Sequence, residues 1–157
     1  MKKKWFVLVV IFLISLCCSC LKNGAFLYDG YYTAEAAEFD DFGWKEYVTL
    51  CVSNGRIIHV EYNAVTSSGF IKSWDMDYMR EMSASDGTYP NAYTRIYGGE
   101  LLKHQSVEGI DCISGATHSY RIFIKLAEAA LENARTGNSA IRFVEAAGNT
   151  GGGAFFH

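Results

Sequence analysis

Two alternating runs meet at Asn54-Gly55, and that dipeptide commits the chain to a β-hairpin. Trp44 to Val52 (WKEYVTLCV) puts Val48, Leu50 and Val52 on one face, and Ile57 to Tyr62 (IIHVEY) returns with Ile58, Val60 and Tyr62 on one face. Between them Asn-Gly supplies the two φ > 0 residues that a tight hairpin turn requires. Such a hairpin has one apolar face that something else must cover. Tyr28 to Ala34 (YDGYYTA) reads as a further strand, and Ala140 to Ala146 as a last one. The cover comes from helices. Phe70 to Met82 places Phe70, Trp74, Tyr78 and Met82 four apart, a helical stripe. Asn91 to His104 is a second helix, weakened by Gly98-Gly99. Thr117 to Arg135 is the strongest, with Phe123, Leu126, Ala127, Ala130, Leu131 and Ala134 on one stripe and Gly137 placed to end it. Thr66 to Gly69 and Ser83 to Pro90 read as loops. The expected fold class is α+β, a small antiparallel sheet with helices packed on it.

The first twenty residues are of a different kind. Lys2, Lys3 and Lys4 precede an apolar run from Trp5 to Leu16, followed by Cys17-Cys18-Ser19-Cys20. A basic start, a short apolar run and small residues at its end compose a secretory signal. The run falls short of the roughly 20 apolar residues that a spanning helix prefers. Its end resembles a bacterial lipobox, which implies cleavage before Cys20 and a diacylglycerol thioether on that cysteine. Cys18 is the alternative lipid acceptor, and an uncleaved helical anchor is the alternative to lipidation. The expected organisation is a lipoprotein signal peptide over 1–19, a lipidated tether over 20–27, one domain over 28–147 and a flexible Gly-rich tail over 148–157. This places the domain on the extracytoplasmic face of the cell membrane. Of the remaining cysteines, Cys51 reads as a small buried strand residue, and an oxidising compartment would permit its pairing with Cys112.

Charge narrows the partners. The formal net charge is −3, from 14 basic and 17 acidic residues. Removing the three lysines of the signal leaves 11 − 17 = −6 for the mature chain. An acidic domain lacks the basic footprint of a nucleic-acid binder. His59, His104 and His118 are too scattered to read as a zinc site, and no metal is expected.

One heptapeptide carries chemistry: Asp111-Cys112-Ile113-Ser114-Gly115-Ala116-Thr117, just before the strongest helix. It resembles the pattern Asp, two variable residues, Ser or Thr, Gly, Ala, then Thr or Ser of the FMN-binding domain family. That family occurs in flavin-carrying subunits of sodium-pumping quinone reductases and in small extracytoplasmic lipoproteins. An early Asp29-Gly30-x-Tyr32 and the hairpin turn stand in the family's usual order, so the resemblance spans about residues 28–135. It implies that a flavin transferase esterifies the hydroxyl of Thr117 with the phosphate of FMN, so the flavin site would lie at the N-terminus of the C-terminal helix.

The residue types suit that role. A phosphodiester at a helix start meets free N–H groups and the positive end of the dipole. Gly115 permits close approach or φ > 0, Ala116 keeps the approach uncrowded, and Ser114 is placed to cap the helix. Asp111 would bind the metal of the transfer reaction or orient the acceptor hydroxyl, or else is a turn residue. Ser119 is a rival acceptor two residues out of register, and His118 a neighbour that could touch the phosphate. Among the 23 aromatic residues, Tyr32, Trp44, Trp74, Tyr78 and Tyr120 are candidates for the ring's wall, with core packing as the other role for each. The resemblance implies an electron carrier with covalent FMN, working between a redox donor and acceptor that the sequence does not name. The alternatives are a small reductase using bound FMN and a flavin-free surface lipoprotein with a scaffold or adhesive role.

Overall fold

The computed structural model describes residues 26–145. Cys20, the signal segment and the Gly-rich 148–157 lie outside the described residues.

Four strands, β1 (Gly30–Ala36), β2 (Lys45–Ser53), β3 (Arg56–Val65) and β4 (Arg142–Val144), form one sheet in the order β3-β2-β1-β4. Three helices accompany them: α1 (Met76–Asp86), α2 (Pro90–His104) and α3 (Thr117–Thr136). The architecture is α+β, as the patterning predicts. The sheet is mixed, however, and not wholly antiparallel. β1/β2 and β2/β3 are antiparallel, but β4 lies parallel to β1, with Ala34 opposite Arg142 and Ala36 opposite Val144. The reason is the crossover. α3 runs back over the sheet and ends where β1 begins, with Tyr28 N–H donating to the Ala134 carbonyl at 2.8 Å. A chain restarting from that end must run alongside β1 in the same sense.

The hairpin forms at Asn54 (φ 52°) and Gly55 (φ 69°). Val48, Leu50 and Val52 are buried as their alternation requires. On β3 the phase changes: Val52 pairs with Ile57, but Cys51 pairs with His59, so Ile58 is an extra, bulged residue. Ile57 therefore faces the core while Ile58 turns out to solvent, against the expectation of an Ile58–Val60–Tyr62 face. Gln105 secures the bulge from outside. Ile57 N–H donates to its Oε1 at 2.8 Å, and its Nε2 donates to the Ile57 carbonyl at 3.0 Å.

α3 covers β1 and β2 with Phe123, Leu126, Ala127, Ala130, Leu131 and Ala134, all buried. Each large side chain among them contributes about 1.5–3 kcal/mol on burial. Gly137 ends the helix at φ 70°, where a left-handed residue lets both it and Asn138 donate to the Asn133 carbonyl. Pro90 opens α2 at its first turn. The expected helix over Phe70 to Met82 is displaced. A single 3₁₀ turn occupies Lys72–Trp74, and α1 starts only after Asp75, whose carboxylate accepts from Tyr78 N–H at 3.0 Å. α1 then runs through Ser83–Asp86, which the sequence marks as loop, and stops at Gly87. Phe70 and Trp74 are exposed, so their spacing does not mark a buried stripe.

The fold has two poles. At one lie the Asn54-Gly55 turn, the start of β1 and the C-terminus of α3. At the other lie the β1–β2 loop and the N-terminus of α3. Among the described residues no helix is long and apolar enough to cross a membrane.

Candidate functional site

The 111–117 loop sits at the second pole and is held from beneath by tyrosines. The Tyr97 hydroxyl accepts from Ile113 N–H at 3.0 Å, and Tyr120 donates to the Ile110 carbonyl at 2.9 Å. Both rings belong to an aromatic core in which Tyr97 stacks on Phe123 at 5.2 Å and Tyr62 lies 4.8 Å from Phe123. Ala116 N–H closes a turn onto the Ile113 carbonyl at 3.0 Å. Tyr97 is buried and Tyr120 half-buried, and the polar end of each ring fixes a loop that has no regular ladder of its own.

Gly115 is the tightest point. Its φ is +81°, and a Cβ there would overlap the carbonyl oxygen and Cβ of Asp86, at the end of α1. Backbone sign and space both demand glycine. Ser114 does not cap α3. Ala116 is the residue at the cap position, with no side-chain bond to the helix, because the turn at 113–116 leaves Ser114 exposed two residues too early. Thr117 is the first helical residue and is exposed. The Cys112 thiol donates to Thr117 Oγ1 at 3.7 Å. The first intrahelical bond runs from Tyr120 to Ala116 at 2.9 Å, so the N–H groups of Thr117, His118 and Ser119 have no intrahelical partner. Asp111 and His118 are exposed, whereas Ser119 is buried, which leaves Thr117 the accessible hydroxyl of the two.

Directly beneath lies a buried polar network that the sequence does not announce. Glu46 and Lys72 are each at least nine-tenths buried, with Lys72 Nζ 3.8 Å from Glu46 Oε1. Lys72 also lies over the rings of Trp44 (5.7 Å) and Tyr78 (5.5 Å). The Tyr62 hydroxyl stands 2.7 Å from Glu46 Oε2 and 3.0 Å from the carbonyl of Ser119, in the first turn of α3. One hydroxyl proton cannot serve two acceptors. Burial pushes the Glu46 carboxyl above its usual range, against the pull of Lys72. Burial likewise raises the Tyr62 hydroxyl well above its ordinary value, and the Tyr93 and Tyr97 hydroxyls above theirs. Glu46 and Lys72 escape sequence reading because one sits at the start of a strand and the other in a short 3₁₀ turn, 26 positions apart.

Of the candidate ring contacts, Tyr32 and Trp44 are buried, Tyr78 and Tyr120 are half-buried, and Trp74 is exposed. Cys51 and Cys112 are free thiols, and Cys51 is half-exposed rather than buried. Two clefts lie away from Thr117. One of about 390 Å³ lies between β3 and α2 and includes His59, Trp74 and Arg95. The other, of about 660 Å³, lies between α3 and β4 and includes Lys125, Arg135 and Phe143.

This is a small α+β domain with a tight turn feeding a long helix, and its relatives give it a place. The chain is 34% identical over 137 residues to the 15 kDa lipoprotein of Treponema pallidum (strain Nichols), covering 87% of this chain and 93% of that protein. The chain belongs to the family of that lipoprotein. The crystal structure of the CPE2226 protein from Clostridium perfringens superposes with a TM-score of 0.73 at 38% identity, covering 76% of this chain and 98% of that one. A solution NMR structure from Clostridium thermocellum is 30% identical with a TM-score of 0.46, over 68% of this chain and 91% of that one. No family model matches the chain.

Proposed function

We propose that this chain is an extracytoplasmic lipoprotein, anchored through Cys20, that carries FMN esterified to Thr117 and serves as an electron carrier. Membership in the family of a named lipoprotein supports the anchor. The observation that carries the flavin reading is the pairing of Gly115, confined by Asp86, with an exposed Thr117 hydroxyl at the start of the 20-residue α3. The residues fit the group. Thr117 would hold the phosphate, and the free N–H groups of the first turn would face its negative charge. FMN, when bound, would supply one- and two-electron transfer.

The remaining roles fall to the protein. Cys112 orients the Thr117 hydroxyl from one side. Tyr97 and Tyr120 hold the loop so that the hydroxyl faces solvent, open to a transferase. Asp111, exposed at the start of the loop, would meet the transferase and its metal. Placement of both clefts away from Thr117 favours, as a second reading, a flavin-free surface lipoprotein with a scaffold or adhesive role.

Co-expression with a flavin transferase separates the two. The expected product gains the mass of FMN less one water, and Thr117→Ala abolishes the gain while Ser119→Ala retains it. Turnover of a small acceptor by the purified protein would point instead to a reductase.

A further inference from the structure

We propose that the pole opposite Thr117 is a membrane-docking surface, on which aromatic side chains rest at the lipid–water interface and hold the flavin pole away from the bilayer. This rests on the lipid anchor at Cys20. Five residues separate Cys20 from Phe26, a reach of at most about 20 Å when extended. Whatever surface surrounds Phe26 is therefore kept beside the bilayer.

That surface exposes several large apolar side chains. Phe26 is 69% exposed, Tyr28 52%, Tyr31 71% and the bulged Ile58 55%. The rings of Phe26 and Tyr28 meet edge to face at 5.4 Å, and Phe26 also lies against Gly55 of the hairpin turn. Tyr31 pairs across the sheet with Cys51, which pairs with His59 beside Ile58, so these groups share one end of the sheet. Arg56 is exposed there and forms no ion pair among the described residues. Aromatic rings with a polar edge, an aliphatic group and a cation are what the interfacial zone of a bilayer accepts.

The same pole holds the C-terminus of α3. With 20 residues that helix is about 30 Å long, which sets Thr117 roughly that far from the docked end. Its redox partner is then a protein that meets the domain from the aqueous side.

The test uses the full lipidated chain in phosphatidylcholine–phosphatidylglycerol vesicles, with or without phosphatidylcholine brominated on its acyl chains. Tryptophan is introduced as Phe26→Trp or Tyr31→Trp at the docking pole, and as Phe42→Trp in the exposed loop of the other pole. Emission beyond that of the wild type is read. The expected result is loss of the added emission to brominated lipid for the first two variants and none for the third. A protein that floats with vesicles but shows no selective quenching overturns the docking surface alone. One that carries no lipid on Cys20 and does not float overturns the anchor and the docking together. Shielding of Tyr31→Trp in detergent, with twice the protomer mass, would assign the patch to a second copy of the chain and also overturn the proposal.

Discussion

Gly115 and Thr117 stand two residues apart and carry opposite kinds of demand. Gly115 is required by backbone sign and by the carbonyl of Asp86. Gly115→Ala should destabilise the domain by about 1–3 kcal/mol, read as a lower urea midpoint. Thr117 makes no capping bond and is exposed, so Thr117→Ala should shift stability by no more than about 0.5 kcal/mol. The two variants thus separate loss of fold from loss of the acceptor. Glu46 adds a pH signature. Its folded carboxyl is raised, so the folded state holds its proton more tightly than the unfolded one. Stability from this group is complete below the unfolded carboxyl's range and falls as pH rises through the folded value. Urea unfolding of wild type against Glu46→Gln should show that decline only in the wild type.

Among the elements, those specified by adjacent residues were readable and those specified by distant ones were not. Asn54-Gly55 and the stripe of Thr117 to Arg135 are local signals, and the hairpin and α3 stand where they predict. The phase of β3 was hidden because the bulge at Ile58 is stabilised by Gln105, 48 positions away from Ile57. The Phe70–Met82 spacing does not mark one helix because Asp75 caps a new helix in its middle. Within the heptapeptide, Thr117 and Gly115 were legible as a pair, whereas the failure of Ser114 to cap depends on a turn that spacing alone does not fix. The tyrosines and the Glu46–Lys72 pair beneath the loop could not be read, since only folding brings them to α3. α1 buries none of its residues, so its cap matters more than its packing. Asp75→Ala should cost about 1 kcal/mol and raise amide exchange over 76–86 while leaving α3 protected.

For the molecule as a whole, α3 spans the sheet between the pole that holds Phe26 and Tyr28 and the pole that holds Thr117. Cys112, exposed and bonded to Thr117, reports on the second. Its alkylation by a membrane-impermeant maleimide should proceed at the same rate in vesicles as in detergent. A rate depressed by vesicles would place the Thr117 pole at the bilayer. On the proposed reading, flavin carried at Thr117 away from the membrane would suit a carrier that exchanges electrons with partners by approach. The claim on which that arrangement depends is the ester at Thr117, and intact-mass analysis with peptide mapping of the lipidated chain co-expressed with a flavin transferase tests it most directly. FMN less one water is expected on the peptide containing Thr117, and an unmodified wild-type chain under those conditions would contradict the ester.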